Sequence, residues 1–123
     1  MVKKAKILVI DDEEDICLFT KSVLERTGNF EVTVSTDSSK GIGLAKTAAP
    51  DLVILDINMP KIDGSLIAEA IQGDKATCNI PIIFLTALIN KEESIGRIGN
   101  YTYLAKPVSA KELIEKIESI LER

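Results

Sequence analysis

Apolar residues along this chain fall into two alternating rhythms. Continuous runs such as Ile7-Leu8-Val9-Ile10, Leu52-Val53-Ile54-Leu55 and Ile82-Ile83-Phe84-Leu85 read as strands buried on both faces, and between them apolar positions recur at helical spacing. The first strand is expected over 5–10. A helix over 14–27 follows, with Ile16, Phe19, Thr20, Val23 and Leu24 on one face and Gly28 as its stop. Phe30 to Val34 alternates as a flanking strand does. Ser38 to Ala48 predicts a second helix carrying Ile42, Leu44 and Ala45, weakened by Gly41 and Gly43 and ended by Pro50. Leu52 to Asp56 is the third strand, and after a loop with Pro60 and Gly64 a third helix runs from Ser65 to Ile71 with Ile67, Ala70 and Ile71 inward. Pro81 opens the fourth strand, Ile82 to Thr86. A weak helix over Lys91 to Ile98 precedes a short fifth strand, Tyr101 to Leu104. The fifth helix has the clearest signals: Ser109 and Glu112 form a capping box, Val108 and Leu113 a staple, and Leu113, Ile114, Ile117, Ile120 and Leu121 hold one face.

Strands alternating with helices specify an α/β fold with a parallel sheet, because each crossover must be right-handed and each strand is covered on both sides. The expected architecture is doubly wound and flavodoxin-like: a five-stranded parallel sheet in the order 2-1-3-4-5, flanked by five helices. That order puts the most continuously hydrophobic runs in the middle and makes strands one and three neighbours at the switch point. The length of 123 residues fits a single domain over 1–123, without repeats or a linker.

Composition narrows the function. No apolar run approaches the ~20 residues of a membrane span, and Met1-Val2-Lys3-Lys4 does not open a signal peptide, so a cytoplasmic protein without a membrane partner is expected. The net charge of -4 and the lack of a basic stripe argue against direct nucleic-acid binding. The absence of histidine excludes Ser-His-Asp hydrolysis and His-ligated zinc. Cys17 and Cys78 lack metal-ligand spacing and read as reduced structural thiols.

The chemistry lies at the strand ends. The first run ends in Asp11-Asp12-Glu13, the second in Asp56 and the third in Thr86. Taken alone, Asp11 to Asp15 reads equally as a solvated acidic helix start and Thr86 as a satisfied strand-end hydroxyl. If the strands are parallel neighbours, the carboxylates converge instead into an all-oxygen pocket suited to a hard cation such as Mg²⁺.

In this pattern the chain resembles the receiver domains of two-component response regulators, from Ile7 to Leu121. Asp11-Asp12 look like the family's metal-binding pair, Asp56 matches the phosphoacceptor, and Asn58 matches the position whose backbone carbonyl completes the protein's metal ligands. Met59-Pro60 and Asp63-Gly64 match the loop that follows. Thr86-Ala87 match the switch hydroxyl and the small residue behind it, Tyr103 the switch aromatic, and Lys106-Pro107 the family's lysine with its proline, joined by a candidate cis peptide. Asn58 and Leu88 match the positions that flank the attacking water in dephosphorylation. The resemblance implies a phosphorylation-dependent switch rather than an enzyme. Its cofactor is Mg²⁺, with Mn²⁺ as substitute, and its donor is a histidine kinase or histidine phosphotransfer protein. Its output is a downstream protein or output domain, with a phosphorylation-dependent dimer as a further form and the face of the fourth helix, fifth strand and fifth helix as the part that changes.

Two other classes fit less well. A phosphatase or phosphotransferase of the haloacid dehalogenase type needs Asp-x-Asp at its first strand end, whereas Asp56-Ile57-Asn58 stands at the third. A pseudo-receiver, a binding module without phosphorylation, is expected to lack Asp12, Asp56 or Lys106, and all are present. The chain departs from the receiver pattern between Thr86 and Lys106, where the interval is slightly short, Gly96 interrupts the expected helix, and Asn100 replaces a small residue.

Overall fold

A computed structural model describes residues 3–56, 64–86, 96–98, 101–105 and 109–122. In chain order its elements are β1 (Ala5–Ile10), α1 (Glu14–Arg26), β2 (Phe30–Ser35), α2 (Ser38–Thr47), β3 (Leu52–Asp56), α3 (Gly64–Gln72), β4 (Ile82–Thr86), β5 (Gly96–Ile98), β6 (Tyr101–Ala105) and α4 (Ala110–Leu121). They form one sheet in the order β2-β1-β3-β4-β6-β5. Every pair is parallel except β5 with β6. The parallel part has the expected 2-1-3-4-5 order, with β6 as its fifth strand.

The period-two and helical patterns sort the core into two layers. On one face Ile7, Val9, Leu52, Ile54 and Ile83 meet Cys17 and Leu24 of α1 and Leu113 and Ile117 of α4. On the other, Leu8, Ile10, Val53, Leu55 and Phe84 meet Ala45 of α2 and Ile67, Ala68 and Ile71 of α3. At Gly41 the α2 backbone lies so close to β1 that a Cβ would stand 2.5 Å from Ile10 Cδ1. The outer edge of β2 is covered in part by a side chain, since the Glu25 carboxylate accepts from Val32 N at 3.2 Å. Gly28 ends the turn after α1 with φ +79, the left-handed conformation that glycine adopts without a Cβ penalty.

Three expectations need correction. The helix expected over Lys91 to Ile98 is not what residues 96–98 form: Gly96, Arg97 and Ile98 pair antiparallel with Tyr103, Thr102 and Tyr101. Glycine disfavours the helix interior, and Gly99-Asn100 between two short runs is a hairpin signature that competes with a weak helical period. Residues 91–95 lie outside the described set, so four helices are described. On α1, Phe19 is 58% exposed and the buried stripe is Cys17, Thr20 and Leu24, spaced i, i+3, i+7; the face is rotated toward Cys17. On α3, Ala68 rather than Ala70 joins Ile67 and Ile71 inside. The last helix begins as expected, with Ser109 Oγ accepting from Glu112 N at 3.1 Å. Its staple residue Val108 lies outside the described residues.

Candidate functional site

The β1 ladder continues past the strand's last residue, for Asp11 N donates to Ser35 O at 3.1 Å. The Asp11 side chain then turns the chain toward α1, with its Oδ1 accepting from Glu13 N at 2.9 Å. This local hydrogen bond fixes the carboxylate at the strand end and leaves Asp12 exposed between strand and helix. Asp56 arrives from the neighbouring strand. It is the last residue of β3, a strand buried along its whole length, and it pairs in register with Leu85 of β4.

Because β1 and β3 are adjacent, the two strand ends bring the acids together. One carboxylate oxygen from each of Asp11, Asp12 and Asp56 lies within 4.8 Å of the others. Asp11 is 1% and Asp56 3% exposed, so two of the three are removed from the water that would screen them. At an effective dielectric near 20, unit charges this close repel by about 3 kcal/mol per pair. Such a cluster suits a cation. Oxygens this close to one another, all from carboxylates, could be shared by one hard divalent cation. The donors are all hard, with no thiolate or imidazole among them, so the residues fit Mg²⁺ or Mn²⁺ rather than a softer metal.

Cys17 reads in the sequence only as a structural thiol, yet the fold sets it against Asp11 of the acid cluster. Its Sγ donates to Asp11 O at 3.4 Å and lies 3.9 Å from Ser35 O, tying α1 to the ends of β1 and β2. Burial, and next the charge of Asp11, push this thiol up to about 11. Cys17 is therefore a neutral packing partner of the acid cluster, not a nucleophile. Neither cysteine is joined in a disulfide.

Of the other expected site residues, Thr86 ends β4, one residue beyond Leu85, the register partner of Asp56. Tyr103 is half-buried in β6 and stacks on Phe84, with centroids 5.1 Å apart and planes inclined by 22°. In the sequence Phe84 reads only as a core residue, and its partnership with Tyr103 becomes visible only through the β4–β6 register. Asn58, Ala87, Leu88, Lys106 and Pro107 lie outside the described residues. No described helix is long and apolar enough to cross a membrane.

Residues 7–118 match the response regulator receiver domain family. Over 120 residues the chain is 34% identical to the DNA-binding dual master transcriptional regulator RpaA of Synechocystis, covering 96% of this chain and 49% of that protein. Over 122 residues it is 39% identical to the probable transcriptional regulator ycf27 of Guillardia theta, covering 98% of this chain and 46% of that protein. The chain thus spans about half the length of these curated relatives. In three dimensions it is similar to the receiver domain of the Francisella response regulator 1452, with a TM-score of 0.83 at 31% identity, covering 98% of each chain. With an acid cluster at the switch point of a doubly wound sheet and a family match running from β1 into α4, the chain belongs to the response regulator receiver domains of two-component signalling.

Proposed function

We propose that this chain, as a single receiver domain over 1–123, is a cytoplasmic signalling switch that accepts a phosphoryl group on Asp56 from a histidine kinase or histidine phosphotransfer protein. The observation that carries the proposal is the convergence of Asp11, Asp12 and Asp56 within 4.8 Å at the carboxyl ends of β1 and β3. A carboxylate is a weak nucleophile, and its approach to a phosphoryl group brings two anions together. A bound Mg²⁺ supplies the positive charge that offsets this repulsion. Asp11, Asp12, Asp56 and the backbone carbonyl of Asn58 would hold it.

An Asp56 carboxylate oxygen forms the new bond to phosphorus as the phosphorus–nitrogen bond of the donor breaks. The imidazole nitrogen keeps the electron pair and takes up a proton from solvent. Burial of Asp56 limits attack to a donor aligned with the open side of the pocket. Lys106 contributes a compact ammonium to the phosphoryl oxygens, and the Thr86 hydroxyl donates to an oxygen present only after transfer. Ala87 matches the family's small residue next to the switch hydroxyl, and Tyr103 follows the movement, changing the face that carries β6 and α4 toward a downstream protein, an output domain or a second copy. Asn58 and Leu88 govern how water reaches the acyl phosphate, and so how long it lasts. The chain acts as a phosphoacceptor that regulates others rather than as an enzyme with its own substrate.

Incubation with acetyl phosphate or phosphoramidate and Mg²⁺, followed by intact-mass measurement, tests this. One phosphoryl adduct is expected on the wild type, none without a divalent cation, and none on Asp56→Asn. An adduct at wild-type level on Asp56→Asn would overturn the assignment.

A further inference from the structure

Phe84 and Tyr103 are register partners in the parallel β4–β6 pair, and their rings stack rather than meeting edge to face. The two rings differ in freedom. Phe84 is 1% exposed and enclosed by the layer that contains Leu8, Leu55, Ile67 and Ile71. Close packing of this kind restricts the ring far more than a place at the margin does. Tyr103 is half-buried and packs against that layer from its margin. Along the strands, the Phe84–Tyr103 pair stands two register steps from the Thr86–Ala105 pair at the strand ends.

We propose that Phe84 is the positioning residue for Tyr103: its fixed ring holds the tyrosine in the resting orientation, and the signalling response must break the stack. The inference rests on the reading of Asp56 as acceptor and Tyr103 as the aromatic that responds. A leucine or methionine at 84 would fill much of the same core volume but offers no flat face to select one orientation of its neighbour. Aromatic pairing shifts an equilibrium by a factor of about two to ten. Removing it should move the resting population toward the switched state by that factor, and a ligand selective for the switched state should bind correspondingly tighter.

The chain has two tyrosines and no tryptophan, so Tyr101→Phe leaves Tyr103 as the sole tyrosine reporter. In that background, tyrosine emission is followed while the protein is titrated with beryllofluoride at constant Mg²⁺, with Asp56→Asn as the control. Phe84→Leu is expected to start closer to the ligand-bound emission and to bind beryllofluoride about two- to tenfold more tightly. Phe84→Met serves if the leucine variant does not fold. A merely structural role would lower the unfolding midpoint and leave the affinity unchanged, and that result overturns the proposal. Weaker binding overturns it too, since the stack would then belong to the switched state. A wild type that binds no beryllofluoride removes the acceptor assignment and this inference together, whereas wild-type binding with an unchanged Phe84 variant removes this inference alone.

Discussion

At the scale of single residues, burial decides chemistry that residue type leaves open. Cys17 and Cys78 are the same amino acid, yet one is enclosed beside Asp11 and the other half-buried in the turn after α3. With its value raised from 9.0 to about 11, Cys17 keeps its proton where an ordinary thiol begins to lose it. The folded form therefore holds this proton more tightly than the unfolded one. The stabilisation it contributes is complete below 9.0 and is lost as pH rises through about 11. Iodoacetamide at about pH 8, near the ordinary thiol range, should alkylate Cys78 first and spare Cys17 until denaturant is added. Equal labelling of both thiols in the folded protein would contradict the enclosed position. Nothing in the sequence marks Cys17 out, because its neighbours Asp11 and Ser35 reach it only through the fold.

At the scale of elements, packing and propensity pull in opposite directions at Gly41. Alanine there would favour the helix by about 1 kcal/mol. It would also press a methyl group against Ile10, with contacts of 2.5, 3.0 and 3.2 Å to a fully buried side chain. Overpacking of this kind costs about 1–3 kcal/mol, so the close approach wins. Gly41→Ala should lower stability by up to about 2 kcal/mol in urea unfolding. Gly43→Ala, which meets nothing within 4 Å, should raise it. A stabilised Gly41→Ala would mean that α2 can shift away from β1. The sequence showed both glycines as weak points of a helix and could not separate them. At the other end of the chain, the capping residue and the apolar face of α4 were legible because both signals are local.

At the scale of the whole molecule, stability and site are linked through charge. Three carboxylate oxygens within 4.8 Å of one another, two of them on enclosed side chains, make a site that a cation meets only in the folded chain. A ligand that binds only the folded form stabilises by about 2.7 kcal/mol at a hundredfold excess over its dissociation constant. Mg²⁺ should therefore raise the thermal midpoint by several degrees, and Asp12→Asn should abolish most of that rise while leaving the metal-free protein at least as stable as the wild type. Scanning calorimetry with Mg²⁺ and with EDTA measures both. A wild type indifferent to Mg²⁺ would show that the oxygens do not act as one site.

The alternation of buried runs with helical faces was enough to determine the fold class, the strand order and the strand ends that carry Asp11, Asp12 and Asp56. Those signals repeat along the whole chain, and right-handed crossovers leave few ways to connect them. Family membership was likewise legible, since its motifs are short and tied to strand ends. Only tertiary structure decided the rest. It turned 96–98 into an antiparallel strand because pairing with Tyr101 to Tyr103 outweighs a helical period broken by glycine. It rotated α1 onto Cys17 and exposed Phe19, since the sheet selects which of two plausible faces it covers. It set Phe84 beside Tyr103 through inter-strand register, which depends on residues distant in the chain and leaves no local trace in either strand.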